Sequence, residues 1–346
     1  MSSKIQSTDL DIRRFSSEQA CHFVGVIFEN APGARSGENL ECLHDMRVAS
    51  RRLRETLQLF GMFYRPSRLR KTLDQAKKMT RILGLPREMD VNLSLLQEFE
   101  GDSDPVVRTT HEYLLETFER KQAKLRKKMH KALDALNLRS LRAQWINFAQ
   151  TALLAPKPQS MLSGIQREFE SEAYLRQTTA ILRQKTVPLL AFRSTPLHSQ
   201  TDENLHRLRI VLKKLRYALE IYDPLHDHRF EKAIQSGKEL QEVLGKVHDY
   251  SVLIEELQAH KIDLQGKSRL RLAAGCERVI EFFEKRKNSL YPLLEPSYIT
   301  MTKELSTVLT PKSPLQFPLS KRKRNVGPKP AAAMPPLKDD VDLNAG

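Results

Sequence analysis

One eighteen-residue stretch occurs twice in this chain. Leu43–Phe60, LHDMRVASRRLRETLQLF, returns as LHRLRIVLKKLRYALEIY at Leu205–Tyr222. The copies share Leu43/Leu205, His44/His206, Arg47/Arg209, Leu53/Leu215, Arg54/Arg216 and Leu57/Leu219, and Arg51/Lys213 and Arg52/Lys214 keep their charge. A repeat of such long period predicts two related halves. Placed on a helix at about 100° per residue, His44, Arg47, Arg51 and Arg54 fall within roughly 80° of one another, opposite Met46, Leu53, Leu57 and Phe60. The copy sets His206, Arg209, Lys213 and Arg216 against Leu208, Leu215, Leu219 and Tyr222. Each stripe stays basic for roughly 15 Å, with Glu55 and Glu220 only at its end. A merely solvated face tolerates glutamates among its cations, so two pure stripes point to an anion.

Composition agrees. Lys and Arg number 57 against 42 Asp and Glu, a net charge of +15, which suits nucleic acid, an anionic membrane surface or a phosphate polymer. Cys21, Cys42 and Cys276 lie far apart without a C-x-x-C, so neither a disulfide framework nor a thiolate zinc site is indicated. No apolar run reaches the roughly 18 residues of a membrane span, and the polar MSSKIQSTDLDIRRF lacks the apolar core of a signal peptide. The expectation is a soluble, cytoplasmic protein.

Strand alternation is scarce, and the punctuation predicts helices. Ser16 or Ser17 caps a helix to about Asn30, Ala31-Pro32-Gly33 with Gly37 forms a loop, and Asn39 caps the first repeated helix, which ends near Tyr64. A third helix runs from about Ser67 to Leu83, with Gly84 as its stop and Pro86 at the start of the next, which reaches Phe99. On that third helix Arg70, Lys77 and Arg81 align within roughly 40°. Their counterparts are Glu231, Lys238 and Glu242, so the first half is expected to contribute more to binding. A long helix from Asp104 to Leu136 and another over Leu138–Leu154 lead to Pro156 and Pro158, the boundary between halves. Further helices are expected over Leu162–Leu190, Asp202–Tyr222, Phe230–Leu244, Lys246–His260 and Gln265–Leu290. The resulting division is a lead over residues 1–15, a first repeat over 16–160, a second over 161–310, and a disordered basic tail over 311–346, rich in Pro and Ala and holding Lys321-Arg322-Lys323-Arg324.

No catalytic motif stands out. Gly266-Lys267-Ser268 lacks the earlier glycine and the strand of a phosphate loop, and G-x-S-x-G, H-E-x-x-H and G-x-G-x-x-G are absent. His226 and His228 with Asp223 and Asp227 have the residue types of a metal site, but a polar turn after Pro224 is the preferred reading. Neither an enzyme nor a bound metal or cofactor is expected.

With these residues in view the chain resembles the conserved-histidine α-helical domain family, CHAD. The family pattern H-D-x-R-V-x-x-R-R-L-R appears as HDMRVASRRLR from His44, and its L-G-x-x-R-D-x-D-V turn as LGLPREMDV from Leu83, with Glu88 in place of Asp. H-x-L-R-I-x-x-K-K-L-R-Y appears as HRLRIVLKKLRY from His206, and L-Q-x-x-L-G-x-x-x-D as LQEVLGKVHD, ending at Asp249. The match covers most of residues 16–310. The resemblance implies an all-α fold of two four-helix bundles related by pseudo-twofold symmetry, with basic residues lining a shared surface. It also implies non-catalytic binding of inorganic polyphosphate and association with polyphosphate granules. No triphosphate tunnel domain, to which CHAD domains are sometimes fused, is visible in the sequence.

The expected polyphosphate-binding residues are His44, Arg47, Arg51, Arg52, Arg54, Arg70, Lys77, Arg81 and Arg87 in the first half, and His206, Arg209, Lys213, Lys214, Arg216 and Lys238 in the second. Repeated cations suit a repeated anion, because Arg and Lys give charge-assisted hydrogen bonds to phosphoryl oxygens. Nucleic acid is the main competing partner, but no aromatic residue falls inside either stripe to stack on bases, and Tyr217 lies only at an edge. A scaffold that docks acidic proteins is a third reading.

Overall fold

The computed structural model describes residues 12–36, 40–99, 104–154 and 164–309. Their regular elements are all helical, and the fold is all-α as the sequence predicts. In chain order they are α1 (Ile12–Glu29), α2 (Ala31–Ser36), α3 (Leu40–Leu59), α4 (Pro66–Ile82), α5 (Gly84–Gln97), α6 (Pro105–Asp134), α7 (Leu138–Gln150), α8 (Gly164–Leu190), α9 (Asp202–Tyr222), α10 (Glu231–Gly266), α11 (Leu270–Asn288) and α12 (Tyr291–Leu309), joined by short 3₁₀ turns. The two repeated segments are α3 and α9. The proposed cap Asn39, the boundary prolines Pro156 and Pro158, most of the lead and the whole tail with Lys321–Arg324 lie outside the described residues.

Several local expectations are corrected. Ser16 and Ser17 do not cap α1 but lie buried within it, and the Ser16 hydroxyl meets the Tyr64 hydroxyl at 3.0 Å. Ala31–Ser36 is a helical turn rather than a loop. Pro32 sits where a first helical turn has no use for its missing N–H, and Ala34 N donates to Asn30 O at 2.9 Å. At Leu83 the chain passes from α4 to α5 without a loop, so Gly84 begins a helix as well as following one. The Leu244-Gly245 pair does not answer it with a break: α10 runs unbroken through Gly245 for 36 residues. Pro86 accounts for the difference, since a proline two positions after Gly84 cannot continue a helical ladder and nothing comparable follows Gly245. The last predicted helix breaks at Lys267–Arg269, where Ser268 takes a left-handed φ of 56°, and α12 lies beyond the predicted elements. Its Pro292 and Pro296 read locally as breakers, but Pro292 falls in the first turn.

The apolar stripes gather into two cores that do not follow the boundary near residue 160. One core joins Met46, Leu53 and Leu57 of α3, with Phe60 just beyond its end, to Leu208, Leu215, Leu219 and Tyr222 of α9, with side chains from α1, α4, α7, α8 and α12 around them. The other joins Leu93 and Leu96 of α5 and Leu114 and Phe118 of α6 to Leu253 and Leu257 of α10 and Val279 and Phe283 of α11. At about 54 Å, α10 is long enough to serve both. Each fully buried leucine contributes about 2 kcal/mol by leaving water, so α3 and α9 are held together along their length.

Polar ties fix the register of α9. The Thr201 hydroxyl caps it by accepting from Asn204 N at 3.2 Å. Asp202 accepts from Ser251 of α10 at 2.8 Å, Lys287 of α11 at 3.0 Å and Tyr291 of α12 at 2.8 Å. Burial pushes that carboxyl up, but these hydrogen bonds prevail and leave it below its ordinary range. On α3, buried Glu55 accepts from Lys185 of α8 at 2.6 Å. The segment after α9 is a 3₁₀ turn in which His226 meets Thr178 at 2.7 Å and Asp223 accepts from Phe230 N at 2.8 Å. His228 packs on the other Asp223 oxygen at 2.9 Å, so these groups are used within the turn.

Candidate functional site

Because their apolar faces share one core, α3 and α9 lie side by side and their basic stripes meet. Four cations converge along the seam: Arg47 and Arg51 from α3, Arg209 and Lys213 from α9. Each is only partly accessible, and each feels the others. Burial first, then the charges of Arg51 and Arg209, bring the Arg47 guanidinium down to about 10. Arg51 is lowered by burial and by Arg209 and Arg54, with the Tyr217 oxygen opposing the shift. Lys213 is the extreme case: burial followed by Arg209, Arg51 and Arg47 holds its ammonium down to about 6. The buried Nε of Arg47 and that of Arg209 have no hydrogen-bond partner among the described residues. Unsatisfied buried donors cost about 1–3 kcal/mol each, so an acceptor at this seam would be stabilising.

The neighbouring helices complete the walls. Arg87, in the first turns of α5, lies close enough to lower His44, for which burial is the larger cause. His206 of α9 meets His248 of α10, Nδ1 to Nδ1, at 3.2 Å, so one ring donates and the other accepts. Burial and then Arg209 push His248 down to about 3, and His206 is lowered by burial, Arg209 and Lys213. Two carboxylates join this cationic ground. Asp249 of α10 stands 4.0 Å from Arg209, and burial raises its carboxyl although Arg209, Arg87, Lys213 and Arg47 favour its charge. Glu88 of α5 is likewise raised, by desolvation, with Arg47 opposing.

The remaining predicted residues divide. Arg54 is lowered by burial and sits near Arg81 of α4, which extends the α3 stripe. Arg52 and Arg216 are already engaged: Arg52 reaches Glu220 at 2.8 Å, and Arg216, itself buried, pairs with the same carboxylate and donates to Gln241 at 2.9 Å. Both guanidiniums lie over the Tyr217 ring, at 5.5 Å and 5.0 Å from its centre. Arg70, Lys214 and Lys238 are exposed and Lys77 is half-buried, and none of them is among the charges acting most strongly on the central four. Sequence reasoning missed His248, Asp249 and Tyr217 as site residues. Asp249 closes the LQEVLGKVHD motif, which was the signal for it and for its neighbour; Tyr217 closes the HRLRIVLKKLRY motif at the edge of its stripe, but its place beneath Arg52 and Arg216 depends on both helices.

The described helices and this seam define an all-α protein whose two similar helices enclose a cluster of cations. The chain belongs to the CHAD domain family, whose model matches residues 18–258. Among solved structures it is similar to the crystal structure of the CHAD domain from the plant Ricinus communis, at 20% identity and a TM-score of 0.59, over 88% of this chain and 96% of that one. At that identity the likeness speaks for the fold. No curated protein matches the chain. Among the described residues no helix is long and apolar enough to cross a membrane, and no group of three or more His, Cys, Asp or Glu is placed to hold a metal ion.

Proposed function

We propose that this protein binds inorganic polyphosphate, without catalysis, in the seam between α3 and α9, and that it works in the cytoplasm at polyphosphate granules. The observation that carries this reading is the convergence of Arg47, Arg51, Arg209 and Lys213 from two helices, with two buried guanidinium donors lacking acceptors. Such crowding of like charge is unfavourable when empty and favourable around a polyanion, and a phosphate chain offers an acceptor at every unit. The outer cations Arg54, Arg81 and Arg87 lengthen the track, as a polymer requires and a single phosphate does not.

Nucleic acid fits less well. The tyrosine ring at the seam, Tyr217, is 6% exposed and covered by Arg52 and Arg216, so it offers no stacking surface to a base. The test is competition among long-chain polyphosphate, single-stranded DNA and RNA at two salt concentrations. Polyphosphate is expected to displace both nucleic acids, with a salt slope that counts the phosphates neutralised. A preference for DNA or RNA would transfer the site to nucleic acid, and displacement of all three by an acidic protein would favour docking.

A further inference from the structure

We propose that the outer face of α6 is a second polyphosphate-binding surface, so that one molecule of the protein holds one chain in the seam and another on this face, and cross-links them. The inference rests on the polyphosphate reading of the seam. From Arg120 to Lys131 the helix reads RKQAKLRKKMHK, a run of cations without a single acidic residue. At about 100° per residue, Arg120, Lys124, Lys127 and Lys131 fall within about 60° of one another, with Lys128 at their flank. Phe118 and Met129, both buried, lie on the opposite side of the helix. The five basic side chains are all exposed, and they form a ridge roughly 16 Å long.

The carboxylates within reach are already taken by other cations. Arg120 pairs with Glu116 at 3.6 Å, Lys121 with Glu256 of α10 at 2.5 Å, and Arg126 with the buried Asp90 of α5 at 3.0 Å. Asp134, three positions after Lys131, pairs with Arg35 of α2 at 2.8 Å. Lys124, Lys127, Lys128 and Lys131 are left with no carboxylate partner among the described residues. Elsewhere an exposed lysine finds an acid four residues earlier, as Lys246 finds Glu242 at 3.2 Å and Lys267 finds Asp263 at 2.7 Å. On the ridge the neighbours at that spacing are like charges, Lys124 with Lys128 and Lys127 with Lys131, which destabilises an empty helix and is relieved by an anion lying along it. The ridge is a separate track from the seam. Glu88 of α5 stands between them, acted on by Arg47 of the seam and by Lys121 of α6, with Asp249 and Glu256 beside it. Lysine ammoniums on flexible stems meet phosphates as point charges, and no aromatic residue occurs from Arg120 to Lys131 except His130 to stack on a base, so a phosphate polymer suits the ridge better than nucleic acid.

The experiment uses the full chain, with a short polyphosphate in calorimetric titration and long-chain polyphosphate in light scattering. A protein with one site decorates a long chain, whereas a protein with two joins chains into large particles. The wild type is expected to take two equivalents of the short chain and to scatter strongly with the long one. Replacing Lys124, Lys127, Lys128 and Lys131 together by Gln should remove one equivalent and the scattering, and leave the seam affinity within about twofold. The seam variant Arg47→Ala/Arg51→Ala should keep the ridge equivalent, with a salt slope of about −3 for the phosphates that the lysines neutralise. One equivalent in the wild type, lost in the seam variant, overturns the ridge and leaves the seam standing. Scattering that is unchanged in the four-lysine variant overturns it as well. Binding that survives in the seam variant and vanishes in the lysine variant supports the ridge and counts against the seam. Displacement of polyphosphate from the seam variant by double-stranded DNA assigns the ridge to nucleic acid and overturns the proposal.

Discussion

Asp249 reaches toward Arg209 from the neighbouring helix at 4.0 Å and is held partly against its charge by burial. An anion already placed among the cations competes with any anion arriving. Asp249→Asn is therefore expected to tighten polyphosphate binding, by about threefold to tenfold if the carboxylate opposes the ligand with roughly 1 kcal/mol. Titration of both proteins at one salt concentration reads the change, and weaker binding would show instead that Asp249 serves to position Arg209. Arg216 makes the opposite case. It is buried, pairs with Glu220 and donates to Gln241, so Arg216→Ala should lower unfolding stability by about 2–3 kcal/mol in a denaturant melt. That Arg47 and Arg51 share one face of α3, and Arg209 and Lys213 one face of α9, was legible from spacing alone. That Arg52 and Arg216 are taken was not, because the Glu220 that takes both receives one of them from the other repeat, and the relative register of two helices is written in no single stretch of sequence.

At the scale of elements, the repeated helices were legible because each carries a broad apolar stripe, and α9 starts and ends where its caps and pattern place it. The break after α4 and its absence in α10 were harder, since both segments carry Leu-Gly and only Pro86 separates them. This leaves a glycine in the interior of α10 whose added Cβ would meet nothing within 4 Å. Gly245→Ala should accordingly stabilise the protein by up to about 1 kcal/mol, through lower backbone entropy in the unfolded chain. A thermal or urea melt measures it, and destabilisation would show that α10 needs flexibility there. The two stripes also differ in strength. Arg47 and Arg51 keep their charge in the empty seam, whereas Lys213 must first gain a proton when phosphate arrives. Replacing Arg47 and Arg51 by Ala should weaken binding more than replacing Arg209 and Lys213, and equal losses in direct titration would contradict that asymmetry.

Over the whole molecule a net charge of +15 sets the response to pH and to polyanions, and the seam concentrates it. Lys213 falls from 10.5 unfolded to about 6 folded, and His44, His206 and His248 also lie below their ordinary value, His248 at about 3. For each of them the unfolded chain binds more protons in the interval between the two values, so the stability of the empty protein rises with pH there and falls as pH drops. Carboxylates held low, such as Asp202, act in the same direction but in the acid range, clear of this window. A bound polyanion reverses the electrostatics: it favours the charged forms of Lys213 and the histidines, protons are taken up on binding, and affinity strengthens as pH falls from about 8 to about 6. Ligand stabilisation follows affinity. The melting temperature of the empty protein should therefore decline from pH 8 to pH 6, while the increase given by a fixed concentration of long-chain polyphosphate grows over the same interval. Melting curves at both pH values, with and without polyphosphate, measure both trends. An increase that is the same at pH 8 and pH 6 would remove Lys213 and the histidines from the binding equilibrium and leave the arginines alone to carry it.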